Sequence, residues 1–158
     1  MTYWVDDSVN SLGFKGSVEN GVKQWDNAST GVFITEVVNS SSASMKIYAG
    51  KGNLPPGTYG AATYWMLSGR NITPDEVTNG TNFQQGVIRF DLDNQNAAGF
   101  ENVHRYKTSG HEIGHVLGLN HFEEPPGHSG NHWMKSGKIA LEQPTSVDLA
   151  HLRTKWRW

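Results

Sequence analysis

The sequence predicts a single mixed α+β domain, and three observations carry that prediction. A chain of 158 residues is long enough for one core with a cleft cut into it. Short β-branched and aromatic runs dominate up to Leu92, interrupted by one early helical pattern. Longer helical patterns gather after Glu101. Strands early and helices late place helices against one side of a sheet.

Taken in order, Tyr3-Trp4-Val5 reads as a first strand. Ser17 is read as the cap of a helix reaching about Asn27, with Val18, Val22 and Trp25 on one face. Gly31 to Val38 is apolar and β-branched and reads as a strand, Ser40 to Ser44 as a loop, and Met45 to Tyr48 as a third strand. Gly50 to Gly60 is rich in turn formers around Pro55-Pro56-Gly57. Tyr59 to Leu67 reads as a strand and Ser68 to Gln85 as a polar surface loop. Gly86 to Leu92 alternates imperfectly and reads as a strand. The main helix begins between Glu101 and Tyr106 and ends at Gly118, and Phe122 to Lys138 is irregular. Pro144-Thr145-Ser146 opens a last helix carrying Val147, Leu149, Leu152 and Trp156.

Composition narrows the function. Charged residues make up 18% of the chain and the formal net charge is −2, so no basic nucleic-acid footprint exists. Without cysteine, disulfides, thiolate metal ligands and cysteine nucleophiles are excluded. No apolar run reaches membrane-spanning length and no signal-peptide core stands at Met1. An exported protein would therefore be seen here in mature form. A monomer is the expectation for this size.

One stretch bears chemistry: His111-Glu112-Ile113-Gly114-His115-Val116-Leu117-Gly118-Leu119-Asn120-His121. Residues four apart share a helix face, so His111 and His115 aim at one point. Zinc takes imidazole nitrogens at about 2.0–2.1 Å in a tetrahedral array. Glu112, rotated about 100° from His111, stands near such an ion without being a ligand. Ile113 and Leu117 lie opposite the histidines, with Val116 at their flank, and give the helix a core side. Gly114 costs about 0.5–1 kcal/mol against Ala within a helix, which calls for a packing or spatial reason. Gly118 suits a helix stop with positive φ. An unbroken helix would carry His121 about 9 Å along the axis from His115, so the stop is what returns His121 to the same ion.

This extended motif resembles that of the metzincin clan of zinc peptidases, and residues 110–119 look most like matrixin-type and snapalysin-type enzymes. The resemblance is strongest from Gly86 to His121. It implies a zincin-like catalytic domain over residues 1–158, with a twisted, mostly parallel sheet, an antiparallel edge strand, a zinc-site helix and a C-terminal helix. It implies one catalytic Zn2+ on His111, His115 and His121, with Glu112 as the general base. It implies a Met-turn at Met134, the only methionine after the motif. It also implies secretion, and a peptide or protein substrate bound by strand addition to an edge strand made of Gly86, Val87, Ile88, Arg89 and Phe90, with Trp133 to Ile139 walling the pocket. Matrixins bind structural calcium after the corresponding strand, which makes Asp91 and Asp93 candidate Ca2+ ligands. The chain departs from two subfamilies. Snapalysin-type enzymes use Asp as third ligand where His121 stands here, and astacin-type enzymes carry Tyr where Ser136 stands.

Other polar residues read more plainly. His104 shares the face of His111 but lies about 10.5 Å along the axis, too far to reach the same ion. His128 and His132 are either substrate contacts or ordinary surface histidines, and His151 belongs to the last helix. Glu123-Glu124 is a solvated pair or a cleft rim. Two other functions stay open: a non-catalytic peptide-binding module with structural zinc, and a zinc hydrolase of non-peptide amides.

Overall fold

A computed structural model describes residues 1–158 except 29–30, 124–126 and 157–158. Six strands form one sheet: β1 (Thr2–Val5), β2 (Thr35–Glu36), β3 (Met45–Gly50), β4 (Gly60–Trp65), β5 (Asn71–Ile72) and β6 (Gln85–Asp91). Among the described residues, six α-helices and a short 3-10 turn at Ser40–Ser42 accompany them: α1 (Asp7–Ser11), α2 (Lys15–Asp26), α3 (Pro74–Thr78), α4 (Leu92–Ala97), α5 (Asn102–Val116) and α6 (Ser146–Lys155). The sheet order is β2-β1-β3-β6-β4-β5. The first four strands in that order run parallel, while β4 is antiparallel to β6 and β5 antiparallel to β4. The molecule is thus a mixed α+β protein with a mostly parallel sheet.

One sheet face is the core face. Met45, Ile47 and Ala49 of β3 pair with Gly86, Ile88 and Phe90 of β6, and all six are buried. Phe90 stacks on Phe14 at 5.2 Å, just before α2, and Gly86 lies under Val116 of α5. The opposite face holds half-buried Trp4, Lys46 and Tyr48 and exposed Arg89. Helices therefore cover one side of the sheet.

Helices α2 and α5 pack on each other. Fully buried Trp25 of α2 donates from Nε1 to the Gly110 carbonyl at 2.7 Å and meets Trp133 edge-on at 5.4 Å. Gly114 has its reason here. A Cβ at that position would stand 2.4 Å from Sδ of Met134 and 3.2 Å from Trp25. The helix gives up propensity so that these side chains can lie against its backbone. Helix α5 ends at Val116, and Gly118 follows at φ 84°, the left-handed turn that sends the chain back toward the site.

Several expectations are corrected. Ser17 is not a cap: α2 starts at Lys15, and the buried Ser17 hydroxyl donates to the Phe14 carbonyl. The Gly31–Val38 stretch contributes only the two residues of β2, because Val32 and Ile34 are spent on the core while Phe33 is 70% exposed. The segment from Ser68 to Gln85 is no plain loop. It holds β5 and α3, the latter opened by Pro74 and a capping box between Thr73 and Glu76. Asp6 caps the unexpected α1, and Asp91 caps the unexpected α4.

The largest correction concerns β6. It lies between β3 and β4, hydrogen-bonded on both sides, and is not an edge strand. Gly86, Val87, Ile88 and Phe90 are buried, the near-continuous burial of an interior strand, and Arg89 faces the surface opposite the helices. The strand that borders α5 on its open side is β4. Its residues 60–63 have no outer strand partner among the described residues.

Candidate metal centre

Helix α5 carries His111 and His115 four residues apart, and the turn after Gly118 brings His121 to them. The three Nε2 atoms lie 3.0–3.2 Å from one another. Among the described residues this is the one group of three or more His, Asp or Glu side chains close enough to share an ion.

Proton counting shows why the site fits a cation. Nδ1 of His111 lies 2.7 Å from the Trp133 carbonyl, and Nδ1 of His115 lies 2.8 Å from the Leu119 carbonyl. A carbonyl only accepts, so each Nδ1 carries the proton and each Nε2 presents a lone pair to the centre. Lone pairs converging at that distance repel each other without a positive charge between them. Burial, with neighbouring His115 and Lys107, holds His111 well below the ordinary imidazole range. Burial and His121 bring His115 down to about 4. Both rings are therefore neutral at pH 7, the form that binds a metal ion. Neutral imidazoles suit Zn2+, Cu2+, Fe2+ and Ni2+ alike.

Glu112 stands beside this trio. It is buried, and a Cβ on Gly60 of β4 would lie 2.9 Å from its Cγ. Burial pushes its carboxyl up to about 8, against the Lys107 cation and a hydrogen bond from the Ala62 N–H, which pull it down. An open cleft of about 420 Å3 joins these groups. Its walls include His111, Glu112, His115 and His121 on one side, Gly60 to Ala62 of β4 on another, and Ser136 and Gly137 on a third.

The floor is braced from behind. Met134 is fully buried against Gly114 of α5. Asp148 of α6, also fully buried, accepts from the N–H groups of both Trp133 and Met134 at 3.1 Å. The Trp133 carbonyl then orients His111. Trp133 itself is fully buried, with its indole N–H on the Leu141 carbonyl. It supports the site from within the core and does not line the cleft; Ser136 and Gly137 of the same segment do.

Other candidates have different tasks. Both oxygens of buried Asp91 face backbone donors: Asn94 N–H on Oδ1, and Asn53 and Leu54 N–H on Oδ2. It is thus a helix cap that ties the turn after β3 to α4, and Asp93 lies in the first turn of that helix. A Ca2+ ion there would have to share those oxygens. Nδ1 of His104 accepts from the Glu101 N–H as part of the α5 cap. Glu123 accepts from the Ser136 N–H, while Glu124 lies outside the described residues.

Two site residues escaped the sequence reading. Lys107, one turn before His111, lines the cleft yet is buried, with Nζ donating to the Lys135 and Gly137 carbonyls. Burial lowers it to about 8, opposed by Glu112, Glu123 and Asp148. Asp148 was signalled only by its capping-box spacing from Thr145. No family model matches the chain, and no curated protein matches it either. No helix among the described residues is long and apolar enough to cross a membrane. Fold and site together define a mixed α+β protein with a three-histidine candidate metal centre.

Proposed function

We propose that this chain is a zinc-dependent endopeptidase of the metzincin type. One observation carries the reading: buried Glu112 stands beside three converging imidazoles, in a cleft bordered by a stretch of β4 that has no outer strand partner among the described residues. A structural metal site has no use for such a carboxylate.

His111, His115 and His121 would hold Zn2+, which would supply Lewis acidity and make a water molecule a stronger acid at neutral pH. Glu112 does the proton work. Its oxygens take the proton from the attacking water and deliver it to the leaving amine. Residues 60–63 of β4 offer backbone groups to an extended peptide, replacing the role first assigned to β6. Lys107 holds the 135–137 wall to α5. The secreted location implied by the resemblance belongs to this proposal.

The test pairs metal content with cleavage of casein and of a broad peptide library, with and without a chelator. One zinc per chain and chelator-sensitive cleavage support the proposal. Zinc without any cleavage marks a binding module, and folded protein that takes up no zinc overturns the reading.

A further inference from the structure

We propose that His128 and His151 form a second, weaker site for a divalent transition-metal ion, separate from the three-histidine centre. Their Nε2 atoms lie 2.8 Å apart, though the two residues come from different elements. His128 follows the turn after Phe122, and its N–H donates to the Phe122 carbonyl at 3.0 Å. His151 stands on α6.

The two rings meet at 88° with centroids 4.8 Å apart. Phe122 packs against both, at 4.9 Å and 4.6 Å, and fixes them from the core side. With metal–nitrogen bonds of about 2.0–2.1 Å, two ligands are about 2.9 Å apart in adjacent positions of a six-coordinate ion and about 3.3 Å apart in a tetrahedral one. The observed spacing meets the first with almost no movement and the second with a shift of about half an ångström. Both side chains are half-buried, so water can complete the shell.

The protonation pattern leaves the ligand atoms available. Neither Nδ1 takes a hydrogen bond among the described residues, so either ring can carry its proton there and turn its Nε2 lone pair inward. Burial and His128 hold His151 below the ordinary imidazole value, against the pull of Asp148, so it is neutral at pH 7. The third ring of the cluster, His132, is not a ligand. Its Nε2 contacts the Ser129 carbonyl at 2.8 Å and its Nδ1 the Thr145 hydroxyl at 2.7 Å. Two imidazoles and water suit Zn2+, Ni2+ or Cu2+, with less affinity than three imidazoles provide. An ion there would clamp the segment that follows His121 onto α6.

Isothermal titration of the metal-free protein with Zn2+ tests this. The wild type should take up two equivalents, one tight and one weaker. His128→Gln and His151→Gln should each lose the weaker equivalent and keep the tight one. His115→Gln should lose the tight one and keep the weaker. As a second readout, excess Ni2+ added to zinc-loaded protein should raise the Tm of the wild type and not that of His151→Gln. A wild type that binds the tight equivalent alone, or a weaker equivalent that survives in both His128→Gln and His151→Gln, overturns the site. A weaker equivalent with no tight one supports this pair while overturning the catalytic-zinc reading, so the two failures are distinguishable.

Discussion

Removing the Asp148 carboxylate should destabilise the fold and loosen the metal centre together. Its oxygens accept from the N–H groups of Trp133, Met134 and Thr145 and from the Thr145 hydroxyl. In Asp148→Ala the Trp133 and Met134 donors stay buried without a partner, at about 1–3 kcal/mol each. Thr145 is half-buried and can turn to water. Loss of the two buried bonds gives about 2–6 kcal/mol, and relief from holding a buried charge reduces the net to about 2–4 kcal/mol. Asp148→Asn keeps one acceptor and turns an amide against an N–H, so about 1–3 kcal/mol is expected. Because the Trp133 carbonyl orients His111, metal affinity should also fall about 10–100-fold. Urea unfolding with unchanged m and a competitive zinc titration measure both effects. If Asp148→Ala loses less than about 1 kcal/mol and binds zinc like the wild type, the bracing argument fails.

Four further outcomes follow from the same geometry. Glu112→Gln should retain one zinc and lose cleavage by about 10²–10⁴-fold, measured by metal analysis and peptide turnover, because it keeps the shape but cannot take a proton. His115→Gln should lose tight zinc and activity together, seen in the same two assays. Gly114→Ala gains about 0.8–1 kcal/mol of helix propensity, but its Cβ would stand 2.4 Å from Met134 Sδ, and overpacking costs about 1–3 kcal/mol; a raised Tm would contradict the packing described. At Asp91, burial opposes ionisation, but N–H groups of Asn94, Leu54, Asn53 and Gly52 overrule it and hold the carboxyl below its usual range. A depressed folded-state pKa contributes stability above the unfolded value of about 3.9, lost as pH falls through the folded one. Asp91→Asn should therefore be less stable than wild type at pH 7 and approach it as pH falls below the unfolded value of about 3.9, read from unfolding free energies across that range.

The three-histidine cluster was legible because its determinants are local. Four-residue spacing, a helix stop at Gly118 and a third histidine three residues later all act within eleven residues. Capping signals are equally local, and α6 was found from Pro144-Thr145-Ser146. The same logic could have found α3. Thr73-Pro74-Asp75-Glu76 is a capping box with Pro at the first helical position, hidden by the polar composition around it. Asp91 could have been read as a cap by the same rule.

Strand order is a different kind of fact. Whether β6 is an edge depends on Gly60–Trp65 pairing with it, from Trp65↔Gln85 to Gly60↔Phe90, and no local signal reports that. The imperfect alternation of Gly86 to Leu92 carried a hint, because Val87 and Ile88 adjoin and both are buried, as in a strand flanked by a neighbour on each edge. Reading it as an edge overlooked that its backbone is already paired on both sides. Lys107 and Asp148 were illegible for a related reason. A charged residue on a helix is exposed by default, and only tertiary packing brings backbone groups that compensate for its burial. Lys107 finds the Lys135 and Gly137 carbonyls, and Asp148 finds the Trp133 and Met134 N–H groups. All four partners belong to the irregular segment after the motif, where periodicity carries no information. That segment is therefore held in place by two buried charges from opposite helices, and its shape, with the cleft wall it forms, is set by α5 and α6 more than by its own sequence.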